Sequence, residues 1–213
     1  MIRAIIFDLD GLLTDTETLH SRAWRQTFEE RGIHVSESEY ADHWVRQGKG
    51  LTGFIAERGL KWQPEELWAR KDDVFAELVV KELRAMPGAL ELLKALHSRV
   101  KLALASSARR IPVDLVLHTL GITEYFEVIA TFEDVSKTKP EPDVFLLAAH
   151  RLGAEPSECV VLEDAEKGII AAHRAGMKSV AVPNHHTRGN DFSSATLIVN
   201  SLNELTLERI QAL

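Results

Sequence analysis

The chain has 213 residues, which suits one compact domain or a core carrying a modest insertion. Its formal net charge of −7 disfavours nucleic acid and anionic lipid as main partners. No apolar run is long enough to span a bilayer, the lone Cys159 has no intrachain partner, and the N-terminal apolar run carries Asp8 and Asp10, unlike a signal peptide, so a cytoplasmic protein is expected.

Ala4–Phe7 is continuously apolar and reads as a buried parallel strand, and it runs straight into Asp8-Leu9-Asp10-Gly11. Between about Asp15 and Leu83 no strand pattern appears. Helical periods instead cover His20–Arg31, Leu51–Arg58 and Glu65–Leu83, and Trp24, Trp44, Trp62 and Trp68 all fall in this stretch, which predicts a second small core. Met86-Pro87-Gly88 marks the connection back. Helical patterns then follow at Ala89–His97, Val113–Leu120, Pro142–Leu152 and Gly168–Ala175. Among them lie strand-like runs at Leu102–Ala105, Val128–Ala130, Cys159–Leu162, Ser179–Val182 and Leu197–Val199. The alternation predicts an α/β fold with a parallel sheet covered on both faces. The core is expected over residues 1–14 and 85–213, with a helical cap inserted at 15–84.

Four chemical signals sit at the C-terminal ends of predicted strands, where open parallel sheets bind ligands. In Asp8-Leu9-Asp10-Gly11, two carboxylates on alternate residues leave a buried strand, a costly arrangement unless they bind something. Asp8 is suited to attack phosphorus as a nucleophile, and Asp10 to exchange protons with the leaving and attacking oxygens. A calcium loop does not fit, because Leu12 stands where another oxygen ligand is required. Leu102–Ala105 ends in Ser106-Ser107, hydroxyls able to donate to a phosphoryl oxygen or to cap a helix. Lys139, held before a proline, offers a fixed ammonium, with Lys137 as its rival. Cys159–Leu162 runs into Glu163-Asp164, oxygen ligands that suit Mg²⁺. One phosphoryl-transfer site accounts for all four, since a carboxylate attacking a phosphate dianion needs a metal, a cation and oriented donors. His185-His186 reads as a loop pair without a metal, because adjacent histidines do not easily share one ion and no thiolate or other histidine cluster joins them in the sequence.

With these motifs in this order, the sequence resembles the haloacid dehalogenase-like superfamily, and more closely its β-phosphoglucomutase-like branch, over essentially the whole chain. The resemblance implies a Rossmann-like parallel-sheet core with an inserted α-helical cap, an aspartyl-phosphate intermediate on Asp8, and Mg²⁺. It implies Asp8, the Asp10 backbone carbonyl and Asp164 as metal ligands, with Glu163 in or just behind that set. Ser106 and Lys139 complete the catalytic group. The dehalogenases of the superfamily lack an acid matching Asp10, so its presence favours phosphoryl transfer.

Asp15-Thr16-Glu17-Thr18-Leu19-His20, Arg22-Ala23-Trp24 and Arg70-Lys71 look like the hexose-phosphate mutase of that branch. The cap loop Gln47-Gly48-Lys49-Gly50-Leu51 departs from it, with Leu51 at the position of the mutase's phosphate-binding arginine. The loop Ser107-Ala108-Arg109-Arg110 departs as well. A lysine does not reproduce bidentate arginine binding of phosphate. The reading is therefore a phosphatase acting on a small phosphorylated metabolite such as a sugar phosphate, with a sugar-phosphate mutase as the alternative. Thr16, His20, Gly48, Lys49 and Lys71 of the cap, with Ser107 and Arg110 of the core, are the expected substrate-binding residues. A monomer is expected, since no large apolar surface calls for a partner.

Overall fold

Six parallel strands form one sheet in the computed structural model, which describes residues 1–213 apart from the side chain of Val45. The chain divides into two units, residues 1–15 with 84–213, and residues 16–83. The division falls one residue inside the expected 15–84 span at either end, because the first helix already starts at Thr16.

In chain order the elements are β1 (Ala4–Phe7), α1 (Thr16–Glu29), α2 (Glu37–Tyr40), α3 (Gly50–Glu57), α4 (Pro64–Glu82), α5 (Ala89–Leu96), β2 (Lys101–Ala105), α6 (Arg110–Leu120), β3 (Val128–Ala130), α7 (Asp143–Leu152), β4 (Cys159–Glu163), α8 (Glu166–Arg174), β5 (Lys178–Ala181), β6 (Leu197–Ile198) and α9 (Leu207–Gln211). A π-helical turn, Ala41–Arg46, follows α2.

The strand order is β3-β2-β1-β4-β5-β6, so the chain winds outward from β1 in both directions. The crevice at such a reversal is the usual ligand position in an open α/β sheet. Phe7 stands opposite Leu104 of β2 and Leu162 of β4. That register sends Asp8, Ser106 and Glu163-Asp164 out at nearly one level. The strands are almost wholly apolar because both faces are covered. On one face Val144, Phe145, Ala148 and Ala149 of α7 and Ala171 and Ala172 of α8 pack over Ile6, Ala103, Ala105 and Val161. The small alanines on the strands let these helices approach closely. The two chain crossings are pinned within this unit: Thr14 bridges to Ala85, its Oγ1 donates to the Arg84 carbonyl at 2.8 Å, and Met86 N donates to Leu13 O at 2.8 Å.

The helical unit is built on α1 against α4. Its core is aromatic: Trp24, Phe28, Tyr40 and Phe54 are buried with Leu51 and Leu67, and Trp44, Trp62 and Trp68 pack partly buried around them. The tryptophans therefore form a packed core and not an open aromatic face. The sequence pattern had no helix over 37–46. That stretch is short, carries the polar run Ser36-Glu37-Ser38-Glu39, and is started by Ser36, whose side chain accepts from Glu39 N at 3.2 Å.

Candidate active site

β1 and β4 are neighbours, and the acids that follow them meet. Asp8, Glu163 and Asp164 are buried, and one carboxylate oxygen of each lies within 4.8 Å of the others. Such a group is unstable without positive charge. Lys139 supplies it from the loop before α7. Its Nζ donates to Asp8 Oδ1 and, at 2.8 Å, to Glu163 Oε2, and sits 4.7 Å from the centroid of the Phe145 ring. Lys137, the rival in the sequence, is exposed.

Burial opposes the charge on Lys139, but Asp8 and Glu163 outweigh it and hold the ammonium above its ordinary pKa. Glu163 is pushed up to about 7, first by burial and then by the Asp8 charge, with Lys139 acting the other way. Asp164 is raised well above the carboxylate range by burial, then by Glu163 and Asp8. Three buried carboxylates against one ammonium leave an excess of negative charge and of oxygen donors. That is the donor set a hard divalent cation takes, so the residues fit Mg²⁺.

Asp10 points elsewhere: its Oδ2 accepts from Ser106 Oγ at 3.2 Å, while Ser106 Oγ accepts from Ala108 N at 3.0 Å. Its carboxylate is thus aligned by the Ser106 hydroxyl at the end of β2. The neighbouring Ser107 Oγ is buried with no hydrogen-bond partner in the protein, a donor left for something else. Gly11 takes φ +89°, and a Cβ there would overlap Asp164 and stand 2.7 Å from Asn184 Nδ2.

Two further residues support this site, and the sequence reading missed the first of them. Asn184 Nδ2 donates to Asp164 Oδ2 at 2.8 Å and to Gly11 O at 3.0 Å, tying the first motif to the last. Gly168 of α8 leaves the space that Glu163 fills, since a Cβ there would overlap the Glu163 carboxyl. Asn184 carries the same positional signal as the motifs that were read, a polar side chain just past a buried strand.

Several of the other expected residues have partners within their own units. Arg110 Nε is held by both oxygens of Asp114, at 2.8 and 2.9 Å, one turn along its own helix. In the helical unit Thr16 and Lys71 are buried. Lys71 Nζ is 3.2 Å from Asp72 and faces the rings of Phe75, Trp68 and Trp24. His20 stacks on Phe75 with centroids 4.0 Å apart, and burial, then Lys71, lowers its pKa well below the usual value. Lys49 is bound to Glu57, and Gly48 lies beside it with φ +62°. Leu51 is part of the aromatic core, so its side chain is taken up in packing.

A separate cavity of about 560 Å³ opens at the other end of the strands, beside Arg3, Lys101 and Tyr125. Its cations already have partners: Arg3 pairs with Glu158, Arg99 with Glu208, and Lys101 Nζ donates to Leu152 O. It holds none of the acids above.

Among known proteins, a family model described as haloacid dehalogenase-like hydrolase matches residues 2–176. β-Phosphoglucomutase of Bacillus subtilis is 35% identical, covering 97% of this chain and 93% of its own. Fructose-1-phosphate phosphatase YqaB of Escherichia coli is 31% identical, covering 84% of this chain and 95% of its own. The crystal structure of CbbY from Rhodobacter sphaeroides in complex with phosphate superposes with a TM-score of 0.87 at 32% identity, covering 99% of this chain and 100% of that one. A mutant of the same protein is known with xylulose-(1,5)bisphosphate bound, at a TM-score of 0.86.

Proposed function

The chain belongs to the haloacid dehalogenase-like hydrolase family, and we propose that it is a Mg²⁺-dependent phosphatase that releases phosphate from a small sugar phosphate through an aspartyl-phosphate on Asp8. The observation that carries this reading is the buried meeting of Asp8, Lys139, Glu163 and Asp164 beside the Ser106–Asp10 pair. A relative named as a fructose-1-phosphate phosphatase and another whose mutant is crystallised with a sugar bisphosphate support the substrate class.

Asp8, Glu163 and Asp164, with the Asp10 carbonyl, are the groups that would hold Mg²⁺. When bound, it neutralises charge on the phosphoryl oxygens and on Asp8. In the first step an Asp8 oxygen attacks phosphorus, the bond from phosphorus to the sugar oxygen breaks, and Asp10 protonates that oxygen as the sugar alcohol leaves. In the second step water attacks the phosphorus, Asp10 takes the proton back, and inorganic phosphate leaves Asp8 free. Lys139 stays cationic throughout and lowers the repulsion between Asp8 and the incoming dianion. Ser106 orients Asp10, and the unpaired Ser107 hydroxyl is a donor for a phosphoryl oxygen.

The 35% identity to a β-phosphoglucomutase keeps a mutase as the alternative. Two features weigh against it. Leu51, at the position of the mutase arginine, is buried among the aromatics, and Lys49 is held by Glu57.

The test is phosphate release from a panel of sugar phosphates with Mg²⁺. Wild-type protein is expected to liberate phosphate, and Asp8→Asn to lose turnover altogether. Near-native activity in that variant removes Asp8 as nucleophile. Interconversion of β-glucose 1-phosphate and glucose 6-phosphate without phosphate release establishes the mutase instead.

A further inference from the structure

A second group of ligand atoms lies on the turn after β5, outside the phosphatase chemistry. His185 and His186 are consecutive, and on an extended strand their rings would point to opposite faces. Here the backbone coils. Thr187 N and Arg188 N both donate to Asn184 O, at 3.2 and 3.0 Å, and His186 N donates to the Asn184 side-chain oxygen at 2.7 Å. The two imidazoles are thereby brought side by side, with centroids 3.8 Å apart and planes inclined by 40°.

Asp15, the last residue of the sheet unit before α1, faces both of them. Its Oδ2 is 4.0 Å from His185 Nε2 and its Oδ1 is 3.7 Å from His186 Nε2. All three residues offer ligand atoms within 4.8 Å of one another. These nitrogen–oxygen separations are too long for hydrogen bonds. They approach those of atoms sharing one ion: ligands about 2.0–2.1 Å from a tetrahedral Zn²⁺ stand roughly 3.3 Å apart. Small side-chain rotations close the difference. The group is open to dissolved ions, since Asp15, His185 and His186 keep 37%, 58% and 28% of their side-chain surface exposed.

The donor types decide which ion. Mg²⁺ takes oxygen ligands, whereas two imidazoles and one carboxylate suit Zn²⁺ and its transition-metal neighbours. We propose that Asp15, His185 and His186 form a zinc-type metal site, distinct from the all-carboxylate cluster of Asp8, Glu163 and Asp164, with a fourth position open to water. The sequence concealed it because the third ligand comes from the opposite end of the chain. The turn that carries the histidines also carries Asn184, which holds Asp164. A metal here therefore fastens the segment after the first motif to the support of the last.

The test is a calorimetric titration of the full-length protein with Zn²⁺ in excess Mg²⁺, repeated with Co²⁺ and followed by visible absorption. Wild-type protein is expected to take up a single Zn²⁺ and to give the cobalt bands of imidazole ligation. H185A/H186A, with its native circular dichroism, is expected to bind Zn²⁺ at least about tenfold more weakly and to lose the bands. D15N, which leaves the turn untouched, is expected to weaken binding in the same direction and decides the matter should the double variant fail to fold. A zinc isotherm that the deciding variant leaves unchanged overturns the proposal. So does wild-type protein that retains no Zn²⁺ in excess Mg²⁺.

Discussion

The Asn184 side chain donates to the Gly11 carbonyl and to Asp164 Oδ2, and its oxygen accepts the amides of His186 and Thr187. Both amide hydrogens and the oxygen are engaged, so the side chain has one orientation and Asp164 is held with it. Residues that orient a metal ligand typically change metal affinity 10–100-fold when removed. Asn184→Ala is therefore expected to raise the Mg²⁺ concentration for half-maximal activity by about 10–100-fold, with most of kcat recovered at saturating Mg²⁺. An unaltered Mg²⁺ requirement would mean that Asp164 needs no such support. Gly11 belongs to the same arrangement, because any side chain there would displace Asp164 and Asn184 together.

At the scale of elements, the helical unit depends on its aromatic centre. Phe28 is fully buried and stacks on Phe54 at 4.5 Å and on Trp24 at 5.4 Å. Phe28→Ala is expected to destabilise this unit by about 3–5 kcal/mol. All four tryptophans lie in it, so the loss reads out as a lowered midpoint of thermal unfolding followed by tryptophan fluorescence. A midpoint within a degree or so of wild type would contradict a single packed core. These helices were legible because their apolar residues repeat at helical spacing over several turns. The strands were legible because doubly covered strands are nearly continuous apolar runs, as in Ile5-Ile6-Phe7 and Val160-Val161-Leu162. The segment 37–46 was not legible: it is a single turn followed by a π turn, too short to show a period. The candidate site was legible wherever a strand delivers the residue to the sheet edge, as for Asp8, Ser106 and Glu163. Asn184 sits in the same kind of position, just past a buried strand, but its contacts with Gly11 and Asp164 are long-range, and the Asp15–His185–His186 group likewise joins distant segments that no local pattern records. The local surroundings of Lys71 and Arg110 were not legible either: three aromatic rings lie near the Lys71 ammonium, and Asp114 holds the Arg110 guanidinium.

For the whole molecule, the acidic cluster couples folding to pH and to metal. Glu163 ionises at about 7 in the folded protein against 4.5 for the free side chain, and Asp164 is shifted in the same direction. The folded state thus binds more protons than the unfolded state between these values, and linkage makes stability fall as pH rises through that window. Lys139 does not alter the slope, because its raised pKa leaves it charged in both states below the lysine range. Without metal, then, this cluster contributes most to stability near pH 5, where it carries a proton, and contributes less as pH rises toward 8. Mg²⁺ competes with that proton for the same oxygens and stabilises only the folded state, by about 2.7 kcal/mol at a hundredfold excess over its Kd. The rise in melting temperature on adding Mg²⁺ is therefore expected to be small near pH 5 and large near pH 8. In Glu163→Gln the metal-free decline across this range should flatten. Thermal melts at the two pH values, with and without Mg²⁺, check both. A Mg²⁺ increment that is the same at either end would show that the cluster is already ionised at low pH, and that burial and the Asp8 charge do not govern its protons.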